Sequence, residues 1–231
     1  KEEIDAEYKH SLLIFSPGCY TSLIDVKQAH INLENNLYLA EKICSLAEWK
    51  GLMDYPTETL NSAMEDLLLA EFHDVLPGTC TRPVEQFALD TLGSGNKKAT
   101  SEFSKAFHRL LLEEDVAGEG EYPIMVFNPY PYELTTTIEC DVQAVGDHPF
   151  EDFEPDEKFV YRLQYDGVEI PFQLTKPVVN FNERVAFRKK IVFTATLKPF
   201  CVNRFSLYIS KGKYDNSYET EPRDYPDMYR S

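Results

Sequence analysis

The first half of the chain repeats its apolar positions at helical spacing. From Ile24 onward, Leu33, Leu37, Ala40, Ile43 and Ala47 recur at intervals of three and four, lining one face of a 3.6-residue turn. This predicts an amphipathic helix ending near Lys50-Gly51, with Thr21 or Ser22 placed to cap its start. A second helix is expected after Tyr55-Pro56, with Thr57 as its cap, running through Leu60, Ala63, Met64, Leu67 and Leu68 and stopping before Pro77. A third starts at Pro83 and carries Val84, Phe87, Ala88 and Leu92. Beyond Gly93-Ser94-Gly95-Asn96 it resumes with Ala99, Phe103, Phe107, Leu110 and Leu111. The apolar phase is nearly kept across the glycines, so one long helix and a break there satisfy the pattern equally.

After Gly118-Glu119-Gly120 the pattern changes. β-Branched and aromatic residues take over in short runs divided by turn residues, which predicts strands over 122–128, 132–142, 159–165, 168–175, 184–197 and 200–209. Asp166-Gly167 is a strong two-residue hairpin signal. The expected fold class is α+β in separate domains, an antiparallel three-helix bundle over residues 21–117 followed by an antiparallel β-sandwich over 121–210. Residues 211–231 lack any period and read as a linker or tail.

Composition narrows the partners. The 231 residues carry 39 Asp and Glu against 23 Lys and Arg, a net charge of -16, which argues against nucleic acid and anionic membrane as partners. No apolar run approaches the roughly 18 residues of a membrane span, and the expectation is a soluble protein. Five widely spaced cysteines, Cys19, Cys44, Cys80, Cys140 and Cys201, include no C-x-x-C pair, which suits free thiols in the cytoplasm. The start at Lys1, with no Met and no signal region, suggests a piece of something longer.

Several chemistries have no motif here. There is no glycine-rich phosphate loop, no G-x-S-x-G elbow and no H-E-x-x-H helix. The acidic runs Glu113-Glu114-Asp115 and 151–157 lack the alternating oxygen-ligand spacing of a calcium loop and read as solvated loops or helix ends. His30 and His108, on different helices, are read as core or surface histidines, although the bundle could bring them face to face. The tyrosines at 214, 218, 225 and 229 could stack on sugars or pack on a neighbour. One pair stands out, His73-Asp74, just past the end of the second helix. Its simplest account is an imidazole favoured by the negative helix terminus, with Asp74 accepting turn amides; a ligand or acid/base role is the second account. Two adjacent side chains cannot close a metal site alone.

A resemblance shifts the balance between these accounts. The segment from Ala70 to Thr79, with Phe72-His73-Asp74-Val75-Leu76-Pro77-Gly78-Thr79 at its centre, resembles the QFHDILPG(S/T) signature of glycoside hydrolase family 38, the α-mannosidases. Residues Leu60 to Leu68 resemble the family's L-x-x-A-W-x-x-L-L helix, with Met64 in place of the frequent Trp. Gly18-Cys19-Tyr20-Thr21-Ser22, followed by Asp25-Val26-Lys27-Gln28, resembles the G-x-Y-T-S-R start of the helical region, with Leu23 where the family often has Arg. Val126-Phe127-Asn128-Pro129 matches the start of the family's first β domain, and the resemblance covers residues 18 to 209 in order.

The resemblance implies that residues 1–20 end a preceding catalytic domain or form a linker, and that His73 is a zinc ligand with Asp74 a substrate-side carboxylate. In such enzymes the metal grips vicinal hydroxyls of the sugar while an Asp of a β/α domain attacks the anomeric carbon, the covalent retaining route. That nucleophile and the H-x-D pair of further zinc ligands lie outside this chain, so no catalytic residue is expected within it. The implied substrates are α-mannoside glycans, and any homo-oligomer would form through the full-length protein. A non-enzymatic carbohydrate- or protein-binding module is the competing account.

Overall fold

The computed structural model describes residue 9 and residues 16–143, 157–175 and 188–213 of the chain. Two compact units divide it at Asp115 and Val116. The acidic run at 151–156 and the tyrosines of the tail lie outside the described residues.

In the first unit, a 3-10 turn at Pro17–Tyr20 leads into α1 (Ile24–Trp49), α2 (Thr57–Ala70) and α3 (Arg82–Leu111). Side-chain contacts give their directions. Asn36 Nδ2 donates to Asn96 Oδ1 (2.7 Å), Cys44 Sγ to Glu102 O (3.7 Å) and Lys50 Nζ to Glu113 Oε2 (2.6 Å), so α1 and α3 run parallel. α2 runs back between them: Tyr55 N reaches Glu48 near the end of α1, while Glu71 meets His30 near its start. The core is the set the periodicity predicts, Leu33, Leu37 and Ala40 with Leu60, Ala63 and Leu67 and with Ala88, Leu92 and Ala99.

α3 is continuous across its glycines. Gly95 is buried where the three helices meet, and a Cβ there would stand 2.7 Å from Leu33 Cδ2, 3.0 Å from Asp66 Cβ and 3.3 Å from Ala63 O. The glycine marks close approach rather than a break. The expected caps are not used. Leu23, with φ of 45°, caps α1, and Ser22 bonds elsewhere; Thr57 is already the first helical residue after Pro56. Asp66 accepts from Lys98 (2.6 Å), an ion pair that ties α2 to α3.

The second unit has seven strands among the described residues: β1 (Glu121–Phe127), β2 (Leu134–Gln143), β3 (Glu157–Tyr165), β4 (Val168–Glu169), β5 (Phe172–Thr175), β6 (Arg188–Leu197) and β7 (Val202–Lys213). They form two antiparallel sheets, ordered β1-β7-β3-β4 and β2-β6-β5. Asp166 and Gly167 both have positive φ, 49° and 77°, and close the β3–β4 hairpin with Tyr165 opposite Val168. The single strand expected over 168–175 is two. Pro171, which has no N–H to donate, sits between them, and the chain passes there from the first sheet to the second.

Every second residue of β6, Ile191, Phe193, Ala195 and Leu197, is buried against Leu163, Phe205 and Leu207 of the facing sheet. The Phe193 and Phe205 rings meet at 4.9 Å, so the two sheets share one core and form a sandwich. On the outer face of β2 and β6, Thr135 pairs with Thr196 (2.8 Å) and Thr137 with Thr194 (3.2 Å).

Candidate functional site

α2 ends at Ala70, and the residues between it and Pro77 turn tightly upon themselves. Val75 N and Leu76 N both donate to Phe72 O (2.8 and 3.2 Å), and Thr79 N donates to Asp74 O (3.1 Å). Val75 turns inward and is 7% exposed in the helical core. Burial of a valine side chain contributes about 2 kcal/mol, which anchors the loop from below.

His73 and Asp74 point the other way. Their side chains are 77% and 55% exposed, with His73 Nε2 3.6 Å from Asp74 Oδ2. That separation is too long for a hydrogen bond. Asp74 Oδ1 accepts from Thr79 Oγ1 (3.0 Å), and the half-exposed Phe72 ring lies 4.2 Å from the imidazole, tilted by 47°. The same end of the bundle also exposes Leu68, Leu69, Val84 and Phe87.

The loop is held from the side by α1. His30, buried, donates Nε2–H to Glu71 Oε1 (2.9 Å); the carboxylate only accepts, which places the proton on Nε2. Ser22 Oγ donates to Pro77 O (2.6 Å), and Lys27 Nζ donates to Ser22 O (2.6 Å) and Leu76 O (2.7 Å). Gly78 has φ of 91°, and a Cβ there would overlap Ser22 Oγ and lie 2.9 Å from Ser22 Cβ. Ser22 and Lys27 stand within a family-like motif of the sequence, which is the only local signal of their importance. Their role is invisible there, because the contacts span 55 and 49 residues.

His30 and His108 do not face each other. His108 donates Nδ1–H to Ser104 O of its own helix (2.6 Å). A surface notch of about 670 Å³ lined by Met53, Ser101, Ser104, Lys105, His108 and Arg109 lies at the opposite end of the bundle from His73. It is set aside as the site because Lys105 is already paired with the buried Glu102 (2.6 Å) and the lining holds no carboxylate.

Tested against zinc, the loop offers one exposed imidazole and one carboxylate with a free oxygen. Among the described residues no three His, Cys, Asp or Glu side chains are grouped to hold a metal. The pair fits as part of a tetrahedral shell and not as a whole one.

Residues 15–110, which contain the loop and nearly all of the three helices, match the family described as the alpha mannosidase middle domain. The helical unit thus matches the middle domain of α-mannosidases over nearly its whole length. The resemblance carried by the run around His73 is thereby borne out. Over 96 residues the chain is 33% identical to an alpha-mannosidase of Saccharomyces cerevisiae (strain ATCC 204508 / S288c), a match covering 39% of the chain and 9% of the yeast protein.

Two solved structures resemble 84% of the chain at 19% identity, which shows the fold. One is a protein in glycosyl hydrolase family 38 from Enterococcus faecalis (TM-score 0.65, 26% of that chain covered). The other is an alpha-mannosidase from Enterococcus faecalis V583 (TM-score 0.63, 24% covered). The match thus spans less than a tenth of the yeast protein and about a quarter of each bacterial one.

Proposed function

We propose that this chain is part of a zinc-dependent retaining α-mannosidase that hydrolyses terminal α-mannosides of glycans, and that it supplies His73 as one metal ligand and Asp74 as a carboxylate on the substrate side. The observation that carries this reading is the exposed His73–Asp74 pair, projected from an anchored loop inside the segment matched to the family. When bound, zinc would supply electrostatic grip on vicinal sugar hydroxyls. His73 would offer a ring nitrogen with no hydrogen-bond partner among the described residues. Asp74 would offer Oδ2, its other oxygen being held by Thr79 so that the carboxylate cannot swing freely. The Phe72 ring lies against the imidazole, 4.2 Å away.

The remaining ligands, the nucleophile and the acid/base group belong, in this reading, to residues outside the chain. The chain alone is therefore expected not to turn over an aryl α-mannoside, and measurable turnover would overturn the assignment. The decisive variant is His73→Ala in the full-length protein, with zinc content and hydrolysis measured together. Loss of both is expected; unchanged metal and rate would remove His73 from the site. The reading also places the protein in the cytoplasm, because five widely spaced cysteines with no C-x-x-C pair suit free thiols in a reducing compartment.

A further inference from the structure

Building on the reading of His73 and Asp74 as metal and substrate groups, we propose that Lys27 is the positioning residue of that pair. It clamps the loop that carries them to the start of α1. The Lys27 ammonium is partly buried and donates to Leu76 O (2.7 Å) and Ser22 O (2.6 Å). No carboxylate lies within ion-pair distance of it among the described residues, so its charge is spent on two carbonyls. Bonds from a charged donor are roughly twice as strong as neutral ones.

The carbonyls it serves need an outside donor. Gly78 turns the chain into the left-handed region, so no helical ladder continues to occupy Leu76 O and Pro77 O. Lys27 takes the first, and Ser22, whose own carbonyl Lys27 holds, takes the second. Gly78 then closes on Ser22 with no room for a side chain.

The result is a loop fixed on both flanks of its chemistry. His30 holds Glu71 before the pair; Val75 in the core and the Lys27–Ser22 clamp hold residues 75–78 after it. Phe72, His73 and Asp74, between these anchors, are exposed. Lys27 touches neither functional side chain; it sets the backbone from which both project, as residues behind metal ligands do.

The test uses Lys27→Met, Lys27→Arg and His73→Ala in the full-length protein, with zinc affinity measured by chelator competition and kcat and KM on an aryl α-mannoside. Hydrogen exchange of the Val75, Leu76, Gly78 and Thr79 amides is followed in the same variants. Lys27→Met is expected to weaken zinc roughly 10–100-fold and to speed exchange at these amides while α3 keeps its protection. Lys27→Arg, which can still reach both carbonyls, is expected to recover most of both. If Lys27→Met fails to fold, Ser22→Ala, which strands no charge, is read the same way.

Unchanged exchange in the loop would overturn the clamp. Faster exchange with unchanged zinc affinity would overturn the positioning role, because the contact would then serve the fold alone. Wild-type zinc and hydrolysis in His73→Ala would instead sink the functional reading, with the exchange measurement still deciding the clamp.

Discussion

Glu121, at the start of β1, accepts from Ser206 Oγ (2.7 Å), Gly118 N (2.8 Å) and Arg204 Nη2 (2.7 Å). These bonds, the Ser206 hydroxyl's above all, hold its carboxyl down at about 2, against an ordinary value of 4.5. A depressed carboxylate stabilises the fold above its unfolded value and loses that contribution as pH falls through the folded one. The difference in Tm between wild type and Glu121→Gln is therefore expected to be full at pH 7 and to shrink between about pH 4.5 and 2, as followed by thermal melts. A difference independent of pH would show that the charge is not what stabilises. Two buried asparagines act without charge. Asn128 Nδ2 donates to Tyr132 O (3.0 Å) and Lys198 O (3.1 Å) while Oδ1 accepts Tyr130 N (3.1 Å), and Asn203 Oδ1 accepts Tyr165 OH and Lys198 N, both at 2.7 Å. Asn128→Ala would remove the side-chain donor to Tyr132 O at a fully buried position, at about 2 kcal/mol in denaturant melts. Asn128-Pro129 was legible as a motif, but its meaning here is a clamp between loops, which no local pattern reveals.

At the scale of elements, the two glycines of α3 separate propensity from packing. Gly93 is exposed, with nothing within 4 Å of where an alanine methyl would stand, so Gly93→Ala should stabilise by about 0.5–1 kcal/mol. Gly95→Ala gains the same propensity but drives its methyl against Leu33, Asp66 and the Ala63 carbonyl, where overpacking costs about 1–3 kcal/mol. Chemical denaturation should show opposite signs for the pair; two stabilising changes would mean that the helices do not meet closely at Gly95. Periodicity identified α1, α2 and α3 because each buries one continuous stripe. It failed at the caps for a physical reason: Leu23, with φ of 45°, takes the cap position, and the Ser22 hydroxyl one residue earlier is turned to the distant Pro77 carbonyl, to which it donates. It also merged β4 with β5, since the strand-like composition persists across Pro171 while the sheet changes.

For the whole molecule, the expected zinc behaviour follows from the count of donors. Among the described residues the loop groups only one imidazole and one carboxylate, short of the roughly 10–16 kcal/mol of a complete structural zinc site, so calorimetric titration of this chain is expected to show only weak binding that His73→Ala abolishes. Tight binding would require ligands beyond those two. Apolar spacing and turn residues were enough to read the fold class, three helices and then antiparallel strands, because both act locally and repeat along the chain. The sequence also singled out the His73–Asp74 run, because a distinctive order of residues can be read without coordinates. How that run is held emerges from the folded chain alone, with Val75 inward, the pair outward, and Ser22, Lys27 and His30 reaching it from far back along the chain. The fold also showed Gly95 to be a contact and not a break. The reason is the same in each case: hydrogen bonds and close packing between distant segments depend on where folding brings them together, and no spacing along the chain encodes that.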